Sequence, residues 1–207
     1  ILEQDTTQFD LIPLYPCAVL WMNINGDSHL DLITLGKTNA GGASHIYIND
    51  GTGKINLTID QDFYIPSTLH AISAADFNND GYEDLAVSHL DSISMHTNIY
   101  TNKYASEVDS GFGLYQQLEG TLYASLDWGD YDNDGDLDIY ISEFGTGFAE
   151  HSISIPQEYV DRMQENENAT EVDRWDFGRA NKLFQNNGDG TFSDVTEFAN
   201  VGNAGHS

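Results

Sequence analysis

Three short acidic segments recur at a nearly constant interval. They are Asn23-Ile-Asn25-Gly-Asp27-Ser-His29-Leu-Asp31, Asp76-Phe-Asn78-Asn-Asp80-Gly-Tyr82-Glu-Asp84 and Asp130-Tyr-Asp132-Asn-Asp134-Gly-Asp136-Leu-Asp138. Their shared frame is D/N-x-D/N-x-D-G/S-x-x-D, followed by an apolar run. Asp27 and Asp80 are 53 positions apart, and Asp80 and Asp134 are 54 apart. A fixed period of this size marks a repeat architecture, which excludes most single-core folds.

The repeat extends beyond the acidic segment. Before each lies a short run, Cys17–Met22, His70–Ala75 and Ala124–Gly129, small at its second position and apolar at its third. An aromatic strand follows the last aspartate, at Ile46–Asn49, Ile99–Asn102 and Leu183–Asn186. Its aromatic residue comes 16 residues after the last aspartate in the first two repeats and 46 after it in the third, an insertion of 30. Glycine-rich turns, Asp50–Gly53 and Asn187–Gly190, lead to a last strand such as Thr191–Val195. Each repeat therefore reads as four short antiparallel strands in about 50 residues, the unit of a β-propeller blade.

The expected fold class is all-β, with propeller-type blades at 15–66, 67–120 and 121–200. The insertion covers about 146–179, and Pro156–Glu165 within it reads as a surface helix or as a loop. Residues 1–14 carry no acidic segment, but Phe9–Pro13 resembles Asp62–Pro66 at the end of repeat one, so they are expected to be an orphan outer strand. Residues 201–207 are the start of a next repeat or a tail. Three blades do not easily close a ring of about 4–8 blades. The propeller is expected to belong to a longer chain or to be completed by another molecule.

Positions 1, 3, 5 and 9 of each acidic segment offer carboxylates or amides, and position 7 offers a backbone carbonyl. Glycine at position 6 permits a sharp left-handed turn. Such a loop wraps a hard cation in oxygens, the preference of Ca²⁺, and presents no thiolate or imidazole to a softer metal. An EF-hand is a poor reading, because the segment ends in Asp at position 9 and is flanked by β patterns. Ordinary Asp/Asn/Gly turns are the bland alternative; three copies at one spacing argue against it.

The second segment with Leu85-Ala-Val87, the third within Trp128–Tyr140, and Asn181–Thr196 resemble FG-GAP/VCBS repeats. These build the seven-bladed propeller of integrin α chains and of many secreted bacterial proteins. The resemblance spans about residues 15–145 and 180–200. It implies up to three Ca²⁺. One would be held by Asp76, Asn78, Asp80, the Tyr82 carbonyl and Asp84. A second would be held by Asp130, Asp132, Asp134, the Asp136 carbonyl and Asp138. The first repeat would use Asn23, Asn25, Asp27, the His29 carbonyl and Asp31. It departs from the pattern in having Ser28 where glycine is usual.

With 34 acidic and 7 basic residues the formal charge is −27. That field repels phosphate backbones and anionic lipid, so nucleic-acid and membrane-surface partners are not expected. No apolar run approaches the roughly 20 residues that span a bilayer. The single cysteine, Cys17, permits neither an internal disulfide nor a Cys/His zinc cluster. Seven histidines form no metal motif, and no serine sits in a Gly-x-Ser-x-Gly elbow. No enzyme activity is expected.

Trp21 and Trp128, equivalent positions before the loops, read as packing residues or as an aromatic platform for sugars. Sequons mark Asn56 and Asn168 as glycan acceptors in a secreted eukaryotic chain, although an Asn-rich chain also produces them by chance. Modest Ca²⁺ ligand sets work at millimolar calcium, outside cells or on their surface. The expectation is an extracellular, non-catalytic module for adhesion or assembly with a protein partner. Two alternatives stand beside it: a subunit that assembles with its own copies by donating strand 1–14, and a glycan-binding or glycan-active accessory propeller.

Overall fold

A computed structural model describes residue 14 and residues 17–38, 41–58, 68–90, 95–105, 111–120, 125–142 and 181–202. The segment 1–13, the insertion at 146–179 with Asn168 and Trp175, and residues 203–207 lie outside the described residues. Three four-stranded antiparallel sheets make up the fold, each a meander in sequence order. The first holds β1 (Cys17–Met22), β2 (Asp31–Thr38), β3 (Gly41–Asn49) and β4 (Ile55–Thr58). The second holds β5 (Thr68–Ala75), β6 (Asp84–Leu90), β7 (Met95–Asn102) and β8 (Phe112–Glu119). The third holds β9 (Ser125–Gly129), β10 (Asp138–Ser142), β11 (Lys182–Asn186) and β12 (Phe192–Asp194). Among the described residues helix is confined to a 3₁₀ turn at Lys103–Ala105 and the short helix α1 (Thr196–Ala199).

The sheets stack face to face, with β1 against β5 and β5 against β9. The architecture is all-β and blade-like, and the described residues do not close a ring. Side-chain alternation explains the stacking. On the first sheet Leu20, Ile33 and Ile46 stand in one cross-strand row. Ile33 and Ile46 are fully buried against Leu85, Val87 and Tyr100 of the second sheet. Strand β6 is buried on both faces, and its run Leu85-Ala86-Val87 reads continuously apolar for that reason. Ala86 turns the other way, with Ile99, into a second core completed by Leu126, Ile139, Ile141 and Phe184 of the third sheet.

Phe77 links the second and third sheets. It is 2% exposed, although it sits at position 2 of an acidic loop. Its ring stacks on Trp128 at 5.8 Å and 5°, and tilts against Phe192 at 5.6 Å. Ile24, at position 2 of the first loop, is likewise buried in the core between the first and second sheets. The first and second loops thus each send their second residue into the sheet that follows.

Trp128 packs as a blade residue. Trp21 does not: it is 52% exposed, because no described ring covers the equivalent face of the first sheet. Phe77→Ala should destabilise the fold by about 3–5 kcal/mol through the lost transfer energy and the cavity left behind. Phe198→Ala, at a position 88% exposed, should change stability by less than about 0.5 kcal/mol. Urea denaturation of the two variants measures the contrast.

Candidate functional site

The acidic segments connect the first and second strands of each sheet: β1 to β2, β5 to β6 and β9 to β10. Backbone N–H groups turn inward onto the acidic side chains. In the second loop Asp76 accepts from the Asp80 and Gly81 amides at 3.0 and 2.9 Å. Asn78 also accepts from the Asp80 amide at 2.9 Å, and Asp80 accepts from Tyr82 at 2.9 Å. The third loop repeats the pattern. Asp130 accepts from Asp134 and Gly135, Asp132 from Asp134, and Asp134 from Asp136.

Two left-handed residues make the coil. Position 6 is one, with φ of 91° at Gly81 and 96° at Gly135. Sequence reasoning missed the other, position 4, where Asn79 and Asn133 have φ of 57° and 62°. The available signal was that position 4 is Asn or Gly in all three repeats, the residues that tolerate this region. In the first loop Gly26 and Ser28 take the two positions at 76° and 70°. A Cβ on Gly26 would stand 2.9 Å from the Tyr82 ring of the neighbouring loop, so the asparagine of the other two loops does not fit there unless that ring moves.

The first loop also differs in its hydrogen bonds. Asn23 accepts from Gly26, and Asn25 both accepts from the Asp27 amide and donates to its carboxylate. His29 lies with Nδ1 3.3 Å from Asp27. The His29 backbone bond and the Asn25 side chain hold the Asp27 carboxyl below the usual range. Glu83 of the second loop reaches across and accepts from the Asn23 amide at 2.9 Å.

Position 9 is the anchor of each loop. Asp31 accepts from the Ile24 and Asn49 amides at 2.9 and 2.8 Å. Asp138 accepts from Tyr131 and Asn186 at the same distances. Asp84 accepts from Asn102 at 2.8 Å, but its other oxygen is buried without a donor. Burial is the main cause that pushes the Asp84 carboxyl up, to about 7, with the charges of Asp80 and Asp76 adding to it. Asp138 is pushed up in the same way by burial and then by Asp132 and Asp134, against the opposing amide bonds.

Carboxylate oxygens of Asp130, Asp132 and Asp138 lie within 4.8 Å of one another, spacing that suits a shared metal ion. Among the described residues no other such carboxylate group forms, and Asp134 is not part of it. Gln185 on β11 donates to Asp132 at 2.6 Å, a contact between strand and loop that no loop motif contains. The position-7 side chains turn to neighbouring backbone: His29 lies over Gly51 and Asp136 over Gly188, within 2.6 Å of where a Cβ would be. Asn56 is exposed on β4. His45 and His89 are buried in β3 and β6, away from the loops.

These residues fit a hard divalent cation. The donor set is carboxylate and amide oxygen, three carboxylates converge, and one buried carboxylate oxygen lacks a partner. Without a cation, Asp84 costs stability. Its carboxyl is near 3.8 when unfolded and about 7 when folded. Between those values the folded chain holds a proton that the unfolded chain releases, so stability falls as pH rises from about 4 to 7. At about 1.4 kcal/mol per pH unit this reaches about 4 kcal/mol. In EDTA, Asp84→Asn should therefore be more stable than wild type at pH 7.5 and about equal to it at pH 3.5. Denaturation at the two pH values checks this, and an equal difference at both would exclude Asp84 as the titrating group.

Residues 23–87 match a family model described as an FG-GAP-like repeat. The match runs from the first position of the first loop to β6, just past the second loop. No curated protein matches the chain. Among the described residues no helix is long and apolar enough to cross a membrane. Residues 23–87, from the first acidic loop through the second and into β6, are thus similar to an FG-GAP-like repeat.

Proposed function

We propose that the chain is a non-catalytic, Ca²⁺-stabilised repeat module that works outside the cell in adhesion or protein assembly. The observation that carries this reading is the convergence of Asp130, Asp132 and Asp138 within 4.8 Å, inside a loop whose frame occurs three times. The FG-GAP-like match over residues 23–87 supports an interaction role. Exposed loops with few anionic ligands work where calcium is millimolar, which favours an extracellular setting. Its formal net charge of −27 suits a partner that is a protein or a further copy rather than nucleic acid. Catalysis is not part of the reading.

In each loop the ion would be held by the side chains at positions 1, 3, 5 and 9, with the backbone carbonyls of His29, Tyr82 and Asp136 beside them. Its charge would offset the repulsion among carboxylates and the burial of Asp84 and Asp138. At positions 1, 3, 5 and 9 the side-chain charge is highest in the third loop, with four aspartates, lower in the second with three and lowest in the first with two. Affinity should fall in that order.

Calcium at 100-fold over the dissociation constant should stabilise the fold by about 2.7 kcal/mol per site. The melting temperature should therefore rise in CaCl₂ relative to EDTA. Asp134→Ala should reduce that rise by more than Asp27→Ala does. A wild-type melting curve indifferent to EDTA would show the loops to be ordinary turns, and calorimetry placing the first loop tightest would overturn the order.

A further inference from the structure

The acidic loops of the first and second sheets touch each other directly. Glu83, at position 8 of the second loop, stands between Tyr82 and Asp84, two of that loop's proposed ligands. Its carboxylate accepts from the backbone amide of Asn23, position 1 of the first loop, at 2.9 Å. The Tyr82 ring lies against Gly26, position 4 of the first loop, 2.9 Å from where a Cβ would stand. Asn102 adds a third link. Its side chain donates to the Ile24 carbonyl of the first loop at 2.8 Å and to the Glu83 carbonyl of the second at 3.1 Å.

These contacts join two position-9 carboxylates by a short hydrogen-bond path. Asp84 accepts from the Asn102 amide, the Asn102 side chain donates to the Ile24 carbonyl, and the Ile24 amide donates to Asp31. Ile24 and Asn102 are both buried, so the path is sheltered from water. The corresponding path from the third loop to the second is weaker at one step. Asn186 reaches the Phe77 carbonyl at 3.1 Å, but the Phe77 amide donates to the Ala75 carbonyl at 3.1 Å and only weakly to Asp84. Among the described residues the clamp is not repeated there either. Position 8 of the third loop is Leu137, which packs against the core, and the Asp136 side chain at position 7 turns to Gly188 of its own repeat.

We propose that the first and second loops take up Ca²⁺ as a cooperative pair, with Glu83 and Asn102 as the positioning residues, while the third loop binds on its own. The proposal rests on the cation reading of the loops and adds a coupling between two of them. With an ion in the second loop, the Tyr82 carbonyl and Asp84 are fixed, and with them Glu83 and Asn102. These two hold the Asn23 amide and the Ile24 carbonyl, so the first loop loses less freedom when its own ion arrives. The three aspartates of the second loop and Glu83 outweigh one divalent charge, so the filled loop does not repel the next ion.

Three glycine amides report on the loops, since Gly26, Gly81 and Gly135 each donate to the position-1 side chain of their own loop. Calcium titration of the isotope-labelled full chain, followed by NMR, reads each loop separately. Asp80→Ala should raise the calcium needed to shift Gly26 on the order of tenfold. The Gly135 response should stay where it is, which also shows that the fold has survived. Glu83→Ala should move the Gly26 curve in the same direction, and should move it less when Asp80→Ala is already present, because the coupling is then already lost. Glu83→Gln, whose amide oxygen still accepts from Asn23, should stay closest to the wild type. A Gly26 curve unmoved by Asp80→Ala overturns the coupling and leaves the cation reading standing. So does a Gly135 curve that shifts as far as that of Gly26. Glycine signals that calcium moves in none of the three loops overturn both.

Discussion

Everything in this fold hangs on the carboxylate at position 9 of each acidic loop. Asp31 and Asp138 each bridge two backbone amides, one at position 2 of the loop and one at the end of the third strand. Hydrogen bonds to a charged acceptor are stronger than neutral ones, and these are sheltered from water. The bridge fixes where the loop leaves the sheet and where the third strand ends. At Asn186 the residue whose amide is held is also the one whose side chain donates to the Phe77 carbonyl of the preceding loop. One buried carboxylate therefore orders a loop, closes a sheet and aligns two sheets.

Placing that carboxylate at the bottom of an acidic loop has an electrostatic cost that the loops meet unequally. In the first, Asn23 and Asn25 lower the charge, and Asn25 donates to Asp27, so the loop is largely self-satisfied. The second leaves an Asp84 oxygen buried with no donor, and the carboxyl responds by holding its proton up to about pH 7. In the third all the odd positions are aspartate, and three of their carboxylates converge. The inward backbone amides offset part of this charge but none is a full positive charge. A divalent ion is the species whose charge and oxygen preference match what remains. On this argument the need for calcium rises along the chain from the first loop to the third.

Much of this was legible in the sequence, because a repeat states its register three times. The four-strand unit and the positions of the loops follow from Asp/Asn spacing and from the aromatic strands around Tyr47, Tyr100 and Phe184. Other features were not legible, and each for a physical reason. Phe77 and Ile24 look like ordinary loop residues, since their burial depends on the next sheet, which local pattern does not contain. Asn49, Asn102 and Asn186 share a place in the repeat, but only the stacking reveals that the last two join sheets. Trp21 and Trp128 are equivalent in sequence and differ in exposure, because one has a loop stacked above it among the described residues and the other does not. The Gln185 contact to Asp132 was hidden by the insertion that separates them in sequence.

A cation in these loops would be coupled to sheet stacking through position 2. The Ile24 amide is bound to Asp31, a proposed ion ligand, while the Ile24 side chain lies in the core shared with the second sheet. In the second loop the Phe77 amide donates to the Ala75 carbonyl and only weakly to Asp84, whose second oxygen lacks a well-formed hydrogen bond. An ion drawn to that oxygen would fix the loop from which Phe77 projects, and with it the ring stacked on Trp128. Empty loops would let like charges separate, and the residue displaced first would be the one that holds the next sheet. The stack would then be tightest with every loop filled, and its weakest joint without an ion would be the one at Phe77, whose amide its loop's buried carboxylate holds least firmly.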